Sequence, residues 1–83
     1  MLNISDVRIK RIDKGDFLCY ASVCIDNKLI IDGIKLLQGK KGRYILMPIR
    51  KVSGNNKRNF AYPTNNETRE QLLELISEAY NNQ

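Results

Sequence analysis

The sequence predicts an α+β fold, a small antiparallel β-sheet of four to five strands followed by one C-terminal α-helix. Two observations carry the prediction. Hydrophobic residues alternate with period two through the first half, and they recur at helical spacing only after residue 65. Strands first and a helix last places that helix on one face of the sheet. The chain has 83 residues, 42% of them hydrophobic and 28% charged, and reads as one domain spanning 1–83.

The elements follow in order. Val7 and Ile9 alternate with Asp6, Arg8 and Lys10, the pattern of a half-buried strand. Arg11 and Ile12 break the parity, which marks a bulge or a strand end. Asp13-Lys14-Gly15-Asp16 is a turn. In the strand Phe17 to Ile25, one face carries Phe17, Cys19, Ala21, Val23 and Ile25, and the other Leu18, Tyr20, Ser22 and Cys24. One apolar face and one half-apolar face suit a central strand. Asp26-Asn27-Lys28 turns the chain into Leu29 to Leu37, whose parity flips at Gly33, the signature of a bulge. Gln38 to Gly42 turns it again, and the short strand Arg43 to Met47 ends at Pro48. Residues 48–59 read as a loop or a loose hairpin, and Phe60-Ala61-Tyr62 as a further short strand. Thr64 and Glu67 have the spacing of a capping box, with Asn66 a competing cap. Leu72, Leu73, Ile76, Ala79 and Tyr80 then predict a helix over about 65–80.

Composition restricts the chemistry. Without histidine, the chain lacks the usual general base, a Ser-His-Asp triad and histidine metal ligands. Its two cysteines, Cys19 and Cys24, fall on opposite faces of one strand, so they neither pair within the chain nor share a metal, and read as small buried hydrophobes. No phosphate-cradling glycine motif occurs. Asp26 and Asp32 read as turn and bulge residues rather than a catalytic pair. An enzyme is therefore not expected, and neither is a cofactor, a metal or a small-molecule substrate. No apolar run approaches the ~20 residues of a membrane span, and the N-terminal segment lacks the pattern of a signal peptide, so a cytoplasmic protein is expected.

Charge is the functional signal. The chain carries a formal net charge of +5. Residues 40–66 hold seven basic side chains (Lys40, Lys41, Arg43, Arg50, Lys51, Lys57 and Arg58) and no acidic one. Such a segment is either a solvated surface that discourages edge pairing or a footprint for a polyanion. Arg69, at the start of the helix, would join the footprint. Tyr44, Phe60 and Tyr62 lie nearby in sequence. Exposed, such rings stack on unpaired bases, although aromatic residues in strands more commonly belong to the core. Glu70, Glu74 and Glu78 form a row read as the solvated face of the helix, or as a docking surface for a basic partner.

Four stretches resemble the SpoVG family (stage V sporulation protein G, a bacterial septation regulator). They are Ile4-Ser5-Asp6-Val7-Arg8-Ile9, Ala21-Ser22-Val23-Cys24-Ile25-Asp26, Met47-Pro48 with Arg50-Lys51, and Tyr62-Pro63-Thr64-Asn65 through Glu67-Thr68-Arg69-Glu70. With Leu29 to Leu37 they span nearly the whole chain. The resemblance implies a small α+β homodimer that binds DNA or RNA and acts as a regulator linked to sporulation, septation and gene expression, with no enzymatic activity. On that reading Lys40, Lys41, Arg43, Arg50, Lys51, Lys57, Arg58 and Arg69 neutralise phosphates, and Arg50 and Arg58 have the fork geometry for bidentate contacts. The alternative is a protein-interaction module of the division machinery, working through strand edges and the acidic helix face without touching nucleic acid.

Overall fold

The structure is a computed structural model. It describes residues 2–53 and 56–83, and the side chains of 50–53 and 56–59 lie outside the described set. Four strands, β1 (Ile4–Lys14), β2 (Phe17–Ile25), β3 (Leu29–Gly39) and β4 (Gly42–Leu46), form one open antiparallel sheet in the order β1-β2-β3-β4. A separate two-stranded hairpin, β5 (Ile49–Ser53) with β6 (Asn56–Asn59), stands where the sequence reads as a loop or loose hairpin. Helix α1 (Asn66–Asn81) closes the chain.

The turns follow from local chemistry. Asp26 and Asn27 both adopt left-handed φ values of 55° and 56°. The Lys28 N–H donates to the Ile25 carbonyl at 2.9 Å. Two positive-φ residues give a turn whose twist matches that of the strands it joins. Gly33 has φ 77° at the point where the β2–β3 register shifts, so the bulge expected from the parity flip is present. The break near Arg11 is also a register shift, between Arg11 and Lys14, and β1 runs on through it to Lys14.

A further register shift was not legible. It lies between Phe17 and Cys19, and it reverses the expected facing of two residues. Leu18 packs against the core, while Phe17 makes an edge-on contact with Tyr20 at 4.9 Å on the opposite face. Phe60-Ala61-Tyr62 is not a fifth strand. Both aromatic rings are exposed, and the Phe60 N–H is satisfied by the Pro48 carbonyl at 2.9 Å.

The core lies between α1 and one sheet face. Cys19, Ala21, Val23, Ile34, Leu36 and Ile45 from the sheet, with Met47 just after it, meet Leu72, Ile76 and Tyr80 from the helix. The helix begins at Asn65, whose side-chain oxygen accepts from the Thr68 N–H at 2.8 Å. The expected caps Thr64 and Asn66 therefore give way to the residue between them. Asn65 combines extended backbone (φ −149°, ψ 165°) with a side chain three residues before a free helical N–H.

Candidate nucleic-acid interface

The first two lysines of the basic segment sit at the tip of a hairpin. Lys40 and Lys41 occupy the β3–β4 turn, both exposed, flanked by Gly39 and Gly42. The β1–β2 turn lies at the same end of the sheet, tied to β3 by the Gln38 N–H donating to the Asp16 carbonyl at 2.8 Å.

Arg43 is drawn away from this group. One of its guanidinium nitrogens donates to Ser77 Oγ at 2.6 Å, and the guanidinium carbon lies 5.1 Å from the centre of the Tyr80 ring. It also lines a groove with Glu70, Glu74 and Glu78, which are exposed along the helix as the sequence predicts. The odd-numbered positions of β4 face the helix, a facing that spacing alone does not reveal, and this separates Arg43 from its exposed neighbours.

Arg43 belongs to a polar clasp at the end of the helix. Arg11 donates to the Tyr80 carbonyl at 2.9 Å and to Asp13 at 3.0 Å, with its guanidinium 4.0 Å from the Tyr80 ring centre. The Tyr80 hydroxyl donates to the other Asp13 oxygen. Those two bonds, the one from Tyr80 first, hold the Asp13 carboxyl below its ordinary range, and the bond to Asp13 raises the Tyr80 phenol. Arg11 supplies the cation that the last turn of α1 lacks within its own sequence.

The remaining candidates divide between two places. Gln71 exchanges hydrogen bonds with the Leu2 backbone at 2.7 and 3.1 Å, while Ser77 and Tyr80 meet Arg43 and Asp13. Arg69, exposed near the first of these contacts, is thus at the end of the helix away from Lys40 and Lys41. Arg50, Lys51, Lys57 and Arg58 lie on the β5–β6 hairpin. Their side chains fall outside the described set, but the backbone register sets Arg50 opposite Arg58 and Lys51 opposite Lys57. The extended chain from Gly42 to Pro48 separates the hairpin from the lysine turn by roughly 20 Å, at about 3.3 Å per residue. What is continuous in sequence is therefore two basic sites.

The aromatic residues near the basic segment are not core. Tyr44 is 44% exposed, Phe60 67% and Tyr62 61%. The sheet face away from the helix also presents Tyr20, which composition alone did not single out. Among the described residues no cluster of three or more metal-ligating side chains occurs, and no helix is long and apolar enough to cross a membrane. Asp26 and Asp32 are apart, one in the β2–β3 turn and one accepting from the Gly33 N–H at 2.8 Å beside the bulge.

Comparison with known proteins agrees with this architecture. The model of the SpoVG family matches residues 2–82. Similar proteins include the putative septation protein SpoVG of Lachnospira eligens, 40% identical over 80 residues that cover 95% of this chain and 91% of the relative. That of Clostridioides difficile is 36% identical over 80 residues, covering 95% and 87%. Both the matched span and these identities run through the sheet, the hairpin and the helix, and the chain belongs to the SpoVG family.

Proposed function

We propose that the protein is a nucleic-acid-binding regulator that holds phosphates with the β5–β6 hairpin and the Lys40-Lys41 turn. One observation carries the reading: the hairpin register sets Arg50 against Arg58 and Lys51 against Lys57. Like charges directly opposite across strands destabilise a ladder. No carboxylate lies anywhere in residues 40–66 to relieve them. A polyanion relieves both pairs at once, so binding and hairpin stability are coupled. The name borne by the relatives, putative septation protein, links the regulated process to septation.

Recognition is weakly sequence-specific. The only helix among the described residues carries the exposed row Glu70, Glu74 and Glu78, which a DNA groove repels. A protein-interaction role works through that row instead. The two readings separate in one experiment, a mobility-shift titration of random-sequence DNA and RNA at moderate salt. Changing Arg50, Lys51 and Arg58 together to Glu abolishes the shift while the far-ultraviolet circular dichroism stays native. Glu74→Gln with Glu78→Gln leaves it unchanged or slightly tighter. Wild-type binding by a folded triple-Glu variant refutes the assignment.

A further inference from the structure

The helix covers one face of the four-stranded sheet and leaves the other open. Register places two rows across that open face. Lys10, Tyr20, Lys35 and Leu46 are consecutive partners from β1 to β4. One row nearer the lysine turn, Phe17, Leu37 and Tyr44 are partners from β2 to β4. The rows are in contact: Phe17 meets Tyr20 edge-on, and the Lys35 ammonium lies 5.7 Å from the Phe17 ring centre.

Tyr44 is seated by Gly39. A Cβ at residue 39 would lie 3.1 and 3.2 Å from two of its ring carbons, so the absent side chain is what lets the ring rest across the strand. Both tyrosines remain more than a third exposed, Tyr20 at 37% and Tyr44 at 44%. They sit two strands apart, about 10 Å across the sheet. Lys40 and Lys41 follow Gly39 directly at the end of this face.

Resting on the nucleic-acid reading above, we propose that this face is a stacking platform for unpaired bases, which makes the preferred ligand a single strand. Rings offer bases a sequence-independent surface, and interleaved cations follow the phosphates. A duplex keeps its base faces inside the stack and cannot use such rings. The charges on the face favour a nucleic acid over a second copy of the chain. Asp6 is taken up by Arg8 at 3.1 Å, which leaves Lys10 and Lys35 against Asp32 alone. A two-fold copy would set this excess of lysine against itself.

The chain has no tryptophan, so Tyr44→Trp provides a single reporter without deleting the ring. Its emission is quenched by oligo(dT) or oligo(U) and not by a duplex of equal length; a response to only one of the two identifies DNA or RNA as the source of the bases. Tyr20→Ala with Tyr44→Ala weakens single-strand binding about tenfold or more, the scale of losing stacked bases, while the slope of log affinity against log salt is retained. Wild-type single-strand affinity in the folded double variant, or equal quenching by the duplex, overturns the platform and leaves the basic-hairpin reading standing. Failure of the wild-type protein to bind any oligonucleotide overturns both. A double variant that halves the mass seen by light scattering yet binds normally shows instead that the face joins two copies, and this also overturns the platform.

Discussion

Tyr80 holds the end of the helix through contacts on several sides. Its ring lies beneath two guanidiniums, its hydroxyl meets Asp13, and its carbonyl meets Arg11. The carboxylate of Asp13 is favoured by the fold, because its pKa is lowered by the bonds from Tyr80 and Arg11. Stabilisation from a lowered pKa is fully present above the unfolded-state value and is lost as pH falls through the folded one. The Tyr80 phenol is raised, chiefly by the same bond, so its contribution is present below the ordinary tyrosine value and lost as pH rises through the folded one. Thermal melts across pH should therefore show a plateau with an acid limb below the usual carboxylate range and an alkaline limb above the usual tyrosine range. Asp13→Asn flattens the acid limb. Tyr80→Phe keeps the ring between the arginines, shifts the acid limb upward and removes the alkaline contribution.

The thiols provide a second test at this scale. Cys19 is fully buried, and burial pushes its thiol up, so it should resist alkylation until the protein unfolds. Cys24 is half-buried on the other face. Thiol titration without reductant should find two free groups in the unfolded protein, and Cys19 should become reactive only with global unfolding. A stoichiometric intrachain disulfide would contradict the facing of both residues.

At the scale of elements, the helix is held at its start by a cap and along its length by one buried stripe. Asn65→Ala removes the acceptor for the Thr68 N–H and should cost about 1 kcal/mol. Thr64→Ala, at the position the capping-box pattern favours, should cost little. Ile76 is fully buried, and Ile76→Ala should cost about 2–5 kcal/mol in denaturant unfolding. At the β3 bulge, Gly33→Ala should cost about 1–2 kcal/mol through its left-handed backbone. The added Cβ would meet only Pro48 at an ordinary 3.7 Å, so the penalty is conformational rather than steric.

On the scale of the whole molecule, the open sheet order leaves β1 and β4 as edges. Unpaired edges invite pairing with another chain, and a domain this short buries only about 60% of its unfolded surface. We infer that it forms a homodimer. Light scattering coupled to size exclusion should give twice the chain mass at micromolar concentration, and a monomer mass would refute it. If about four phosphates are neutralised, the log–log salt slope should be about −3.6 on a duplex and about −2.8 on a single strand. The separation of the two basic sites gives this a second reading. Removing Lys40 and Lys41 should lower the slope by up to about 2 and leave the hairpin contacts in place.

Local chemistry fixed most of the element order in advance. Period-two alternation through Val7 and Ile9, the parity flip at Gly33, the Asp26-Asn27 turn and the helical spacing of Leu72, Ile76 and Tyr80 all depend on neighbours within a few residues, and all are present in the fold. What depended on distant contacts was not legible. The shift at Phe17 turns that ring onto the open face, because β2 must stay in register with both of its neighbours. Arg43 leaves the basic group because α1 packs over its side of β4. Tyr44 is exposed because α1 reaches only one face of the sheet, and Phe60 and Tyr62 are exposed on a segment outside that sheet. The sequence by itself determined which residues turn, pair and coil, since those preferences are local. Only the tertiary structure decided which charges share a surface, since one run of residues 40–58 is divided by the length of a strand whose position the other strands set.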